Sequence, residues 1–176
     1  MIQIKNAAEL QKMRKACAIS AAALKAGGEA IEPGITTAEI DKIIYDFIVR
    51  HGARPNFLHL YGFPATACIS VNDTVIHGIP SKQQQIRPGD IVSIDTGCKI
   101  DGFNGDNACT YGCGKLDLEA QRLLDVTKES LHRGIEMARG GNRVGDIGHA
   151  VQTYVEENGF SVVREYVGHG VGRNMH

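Results

Sequence analysis

The sequence predicts an α+β fold in which a helix–helix–strand unit is written twice and the second copy is incomplete. Three observations carry this. Ile91–Tyr111 reads as two strands around Asp101-Gly102, the pair typical of a two-residue hairpin. Two predicted helices open on capping boxes, Asn6 with Glu9 and Thr36 with Glu39. The segment from Gly34 to Gly52 also aligns without a gap on Gly141 to Gly159, a shift of 107 residues.

In chain order, residues 7–31 form the first predicted helix, ended by Glu32-Pro33-Gly34. The second carries Ile40, Ile43, Ile44, Phe47 and Ile48 at amphipathic spacing and stops at Gly52. A loop of aromatics and glycines spans Pro55–Pro64. The short strand TACISV follows, then the irregular NDTVIHGIP, a turn at Pro88-Gly89 and the hairpin. Residues 117–138 are helical in pattern, with Leu124, Leu131, Ile135 and Ala138 along one side. In the repeat, Ile40, Ile44, Phe47 and Ile48 correspond to Ile147, Val151, Tyr154 and Val155. Arg143 stands where Thr36 does, so the second capping box is not kept. The expected organisation is one domain over 1–176. Its first repeat covers about 1–115, and its second, about 116–176, is unfinished.

Composition narrows the class. The chain has 176 residues, 43% hydrophobic and 22% charged, which suits one globular domain with a sizeable core. A formal net charge of −1 gives no steering toward nucleic acid or an anionic membrane. No apolar run reaches bilayer length, and the N-terminus reads as the start of a helix, not a signal peptide. The five cysteines (Cys17, Cys68, Cys98, Cys109, Cys113) contain no C-x-x-C pair. That pattern fits a reducing cytoplasm and argues against a disulfide framework or a cysteine-built zinc site.

The hairpin is where chemistry first becomes legible. Its turn sets Ile100 against Phe103, Gly97 against Asp106 and Asp95 against Ala108, so Asp95 and Asp106 share a face as diagonal neighbours. Two close carboxylates call for a shared proton or a cation. Taken alone, the stretch fits a solvated face equally well. His77, in VIHGIP, lies on an irregular loop of the kind that carries function, although an isolated histidine is more often structural. His169 is bracketed by Gly168 and Gly170, with His176 seven residues on, which points to something that must reach the imidazole. Two aspartates and a histidine suit a borderline divalent ion such as Mn, Fe, Co or Zn. Such ions, often held in pairs by bridging carboxylates, activate water and polarise carbonyls. His77 and His176 then fall to acid–base or hydrogen-bonding roles. If the duplication is real, a second carboxylate pair belongs beyond His176.

The motifs CISVNDTVIHGIP, DIVSIDTGCKIDGFNGDNA and FSVVREYVGHGVGRNMH, in this order, resemble the signatures of the type I, bacterial-type methionine aminopeptidases. The resemblance covers essentially the whole chain. It implies the pita-bread fold (creatinase/aminopeptidase), a pseudo-twofold duplication in keeping with the repeat. It implies Asp95, Asp106 and His169 as metal ligands, with His77 and His176 contacting substrate in catalysis. The methionine pocket would draw on Phe57, Leu60, Phe63, Cys68 and Met175, and the segment of Asn72 and Thr74 would serve a monovalent cation. Two glutamate ligands that the family supplies after His176 are absent, so the chain reads as truncated, with two divalent ions expected per complete site. The activity implied is hydrolytic removal of the initiator methionine, before a small second residue, from the N-terminal peptide of nascent proteins. The implied setting is the cytoplasm, near the ribosome, as a monomer when full length, without nucleic acid or membrane contact. The rival readings are an Xaa-Pro aminopeptidase or prolidase of the same fold, and a catalytically silent truncated homologue that binds polypeptide.

Overall fold

The computed structural model describes residues 3–176. They form two compact units, one running to Leu116 and taking in His169–His176, the other Asp117–Gly168.

In the first unit, α1 (Ala7–Glu29) and α2 (Thr37–Arg50) begin where their capping boxes put them. The Asn6 side chain accepts the Glu9 N–H at 2.9 Å while the Glu9 carboxylate accepts the Asn6 N–H at 3.1 Å. Thr36 and Glu39 repeat the exchange at 3.2 and 2.9 Å, satisfying N–H groups that a helix start leaves free. The first helix stops two residues short of the expected end, because Ile31 N–H turns back onto the Gly28 carbonyl.

The strands are β1 (Arg54–Pro55), β2 (Ala67–Val71), β3 (Ile91–Ile100) and β4 (Phe103–Gly112), all antiparallel about the central β3. Along one edge of β3 run β1 and then β2; β4 takes the other. The predicted register holds, with Ile100 opposite Phe103, Gly97 opposite Asp106 and Asp95 opposite Ala108. Asp101 and Gly102 both have left-handed backbone, at φ +52° and +83°, as a type I′ turn requires. Val92, Ile94 and Cys98 point from β3 into the core, among Leu24, Ile40, Ile44 and Ile48. Each such aliphatic side chain, fully removed from water, contributes about 1.5–3 kcal/mol. Gly105 lets β4 lie directly on α1: a Cβ there would meet the Ala16 carbonyl at 2.5 Å. With one face covered in this way, the opposite face carries Asp95 and Asp106.

The second unit holds α3 (Leu118–Met137), capped by the Asp117 carboxylate on Ala120 N–H at 2.7 Å, and α4 (Val144–Glu157). Of the missing capping box, half persists. Asp146 accepts the Arg143 N–H at 2.7 Å, but a guanidinium has no acceptor to return. The 107-residue shift carries α2 onto α4 end to end, each 14 residues long. It carries Gly34 (φ +97°) onto Gly141 (+96°) and Gly52 (+72°) onto Gly159 (+76°). It also carries one packing contact. A Cβ on Gly27 would stand 2.7 Å from Ile44, and one on Gly134 would stand 2.8 Å from Val151. Past α4, residues 160–168 take no helix or strand. Among the described residues no helix is long and apolar enough to cross a membrane.

Candidate functional site

Three segments build the site. The hairpin presents Asp95 and Asp106 side by side from β3 and β4. From α2, the Asp41 carboxylate accepts the N–H groups of Thr66 and Ala67 at 2.9 and 2.8 Å, anchoring the start of β2 so that Cys68 falls opposite Asp95. The VIHGIP loop then folds back on β2: Ile69 N–H donates to the Gly78 carbonyl at 2.9 Å, and Gly78 N–H donates to Ser70 Oγ at 3.1 Å. Only glycine fits at 78, since a Cβ would lie 2.2 Å from the Ile69 carbonyl oxygen. The adjoining His77 adopts a left-handed φ of +56° and stands exposed. The third segment, His169–His176, brings both of its terminal imidazoles to the hairpin, their centroids 4.6 Å apart and edge to face.

These segments and the loop over residues 57–64 enclose one cavity of about 580 Å³, within the range of small-ligand sites. Asp95, Asp106 and His169 line it together with His77 and His176. So do the five residues expected for a methionine pocket, Phe57, Leu60, Phe63, Cys68 and Met175. Tyr61, Gly62, Pro64 and Ile79, which no motif marks individually, also line it. Their only signal was membership of the aromatic–glycine loop and of VIHGIP. Tyr61, at φ +50°, faces the His176 ring at 6.4 Å between centroids. Asn72 lies outside this cavity, with its side chain donating to Asp90 at 2.9 Å and accepting Ile91 N–H at 3.0 Å. Thr74 N–H bonds the Val71 carbonyl at 3.1 Å.

The electrostatics of the cavity floor are those of negative charge under constraint. Burial, then the neighbouring Asp106 carboxylate, push Asp95 up to about 7. Asp106 is raised by its own burial, with His169 pulling the other way. Burial, reinforced by Asp95 and Asp106, pushes the Cys68 thiol up to about 12, so it stays neutral and serves as an apolar wall. His169 Nδ1 lies 3.2 Å from the Gly170 carbonyl, which can only accept, so Nδ1 carries the proton. That leaves Nε2 facing Asp106 Oδ2 at 3.5 Å, while Asp106 Oδ1 is buried without a partner.

A ring nitrogen facing a carboxylate, beside an orphaned carboxylate oxygen, offers lone pairs to a cation once the ring gives up its second proton. The O₂N donor chemistry fits a borderline divalent ion. Among the described residues, no three His, Cys, Asp or Glu side chains already form a finished metal-binding cluster.

Comparison with known proteins gives this arrangement its relatives. The model of metallopeptidase family M24 matches residues 11–176. Over 176 residues the chain is 51% identical to the methionine aminopeptidase of Clostridium perfringens, a match covering all of this chain and 70% of that protein. The chain belongs to the methionine aminopeptidases of family M24. The crystal structure of the Rickettsia prowazekii methionine aminopeptidase superposes with a TM-score of 0.97 at 39% identity, covering 100% of this chain and 71% of that one. This methionine aminopeptidase chain thus has the pita-bread fold expected from its motifs. Pyrococcus furiosus prolidase shares that fold with a TM-score of 0.84, covering 98% of this chain and 50% of its own, but at 24% identity the likeness is one of fold alone. The Xaa-Pro alternative is therefore not favoured.

Proposed function

We propose that this chain carries the aspartate–histidine side and the methionine pocket of a divalent-metal aminopeptidase. It would hydrolyse the initiator methionine from nascent proteins whose second residue is small. The observation that supports the reading is the shared cavity, in which three metal-type donors sit against a wall of Phe57, Leu60, Phe63, Cys68 and Met175.

Asp95, Asp106 and His169 would hold the ions, two of the Mn, Fe, Co or Zn type in a complete site. A divalent ion bound there activates water and polarises the scissile carbonyl. The apolar wall selects an unbranched thioether by shape and exclusion of water. His77, on the strained mouth loop, reaches the substrate carbonyl as charge develops on it. His176, edge-on to His169, hydrogen-bonds the scissile amide. A cytoplasmic setting accords with five free thiols. The ribosome as a partner, a monomeric state at full length and a monovalent cation near Asn72 and Thr74 belong to the same proposal.

Calorimetric titration with Mn²⁺, run beside hydrolysis of Met-Ala-Ser and Leu-Ala-Ser, tests it. Divalent binding with cleavage of the methionyl peptide alone supports the proposal. Binding without turnover moves the chain to the silent, polypeptide-binding reading, and no binding overturns the metal site itself.

A further inference from the structure

We infer that Asn104 and Arg173 are positioning residues that pin the segment His169–His176 to the hairpin and so determine where its two imidazoles stand. The consequence for ligand binding rests on the metal reading above; the positioning itself does not.

Little near His169 holds it in place. The residue is exposed, and a Cβ added at Gly168 or Gly170 would meet nothing within 4 Å. The fixed point is three residues on. The Gly172 carbonyl accepts two hydrogen bonds from Asn104, one from its backbone N–H and one from Nδ2, both at 2.9 Å. Asn104 is 1% exposed, so an amide donor there must be satisfied, and Gly172 is what satisfies it.

Asn104 also precedes Asp106 by two residues on β4, which puts both side chains on one face. The strand that presents Asp106 is therefore the strand that grips the segment bearing His169. Arg173 closes the grip from outside. Its guanidinium meets the Glu9 carboxylate at 2.9 Å and lies over the Phe103 ring at 4.6 Å, while Lys99 Nζ donates to its carbonyl at 2.8 Å. A side chain that orients ligands without touching the ion typically changes affinity by roughly 10–100-fold when removed.

The test uses the full chain with Asn104→Asp, which keeps the shape but loses the donor, and Arg173→Gln. The readouts are ¹H–¹⁵N imidazole correlations of His169 and His176 in metal-free protein, and Mn²⁺ affinity by calorimetry. Expected are displaced His169 and His176 signals in both variants, unmoved His132 signals, and roughly 10–100-fold weaker Mn²⁺ binding. Arg173→Lys, which can keep the Glu9 pair, should return the signals toward wild type. A purely structural role would lower the melting temperature and leave both imidazoles in place well below it; that result overturns the inference. Should Asn104→Asp fail to fold, Arg173→Gln decides on the same readouts, because that side chain is exposed. If wild type binds no Mn²⁺, the metal reading fails, while the imidazole signals still judge the positioning.

Discussion

Nε2 of His169 stands 3.5 Å from Oδ2 of Asp106, and the other nitrogen of the same ring is engaged by the Gly170 carbonyl. Nε2 is thus turned toward a carboxylate that has a buried oxygen without a partner. Replacing His169 with Ala removes that donor and leaves the core untouched, since the side chain is exposed. Mn²⁺ affinity should fall by more than the roughly 10–100-fold of an indirect contributor. The melting temperature of the metal-free protein should stay within about 2 °C of wild type, because surface changes rarely exceed about 0.5 kcal/mol. Calorimetry and a thermal melt check the two halves.

Asp95 makes metal affinity depend on pH. An ion needs the carboxylate, and burial with the Asp106 charge holds Asp95 protonated up to about 7. Below that value the proton competes, so apparent Mn²⁺ affinity should rise by up to about tenfold per pH unit toward 7 and flatten above it, with protons released on binding. Titrations in buffers of differing ionisation enthalpy measure the release.

The same group sets the pH dependence of folding without metal. Its folded pKa lies above the unfolded value of roughly 3.9, so the native state binds the extra proton between the two. Stability from this group is complete below about pH 4 and is lost as pH rises through 7. Urea midpoints for metal-free protein should therefore decline between about pH 4 and about pH 7 through this group and level off above it, and Mn²⁺ should reverse the decline. A decline that Mn²⁺ leaves unchanged assigns it to another group.

Thiol chemistry should separate the cysteines. Cys68 is buried and pushed up to about 12, whereas Cys109 is exposed. At pH 8, iodoacetamide should label Cys109 well before Cys68, read by peptide mass spectrometry. Labelling of Cys68 at a comparable rate contradicts a closed thioether pocket.

Gly105→Ala should be the costliest small change in the hairpin. Its methyl would sit 2.5 Å from backbone atoms of Ala16, which cannot swing aside as a side-chain tip can. Overpacking of this kind costs about 1–3 kcal/mol or more. Denaturant unfolding should show a loss at or above the top of that range, with Mn²⁺ affinity weakened because Asp106 is next in the chain.

The hairpin and the helix starts were legible because their determinants are local: Asp101-Gly102 sets its own turn, and Asn6 and Glu9 meet within one turn of helix. The grouping of Asp95, Asp106, His77, His169 and His176 was readable as motifs whose order a known family shares. What the sequence hid is non-local or conformational. Tyr61 and His77 take left-handed backbone that only the folded loop enforces. Asn104 bears no motif of its own, and its partner is Gly172, which no spacing rule connects to it. The 107-residue alignment begins at Gly34 and excludes Gly27 and Gly134, whose equivalence shows only where helices touch.

That last pair makes the protein its own control. Gly27 and Gly134 meet Ile44 and Val151, residues related by the same shift. The same alanine scan can therefore be run twice inside one chain, once beneath the catalytic-type sheet and once in a helix pair of a separate unit. Any difference between the two results measures what surroundings add to an identical steric insult, without a second protein for comparison.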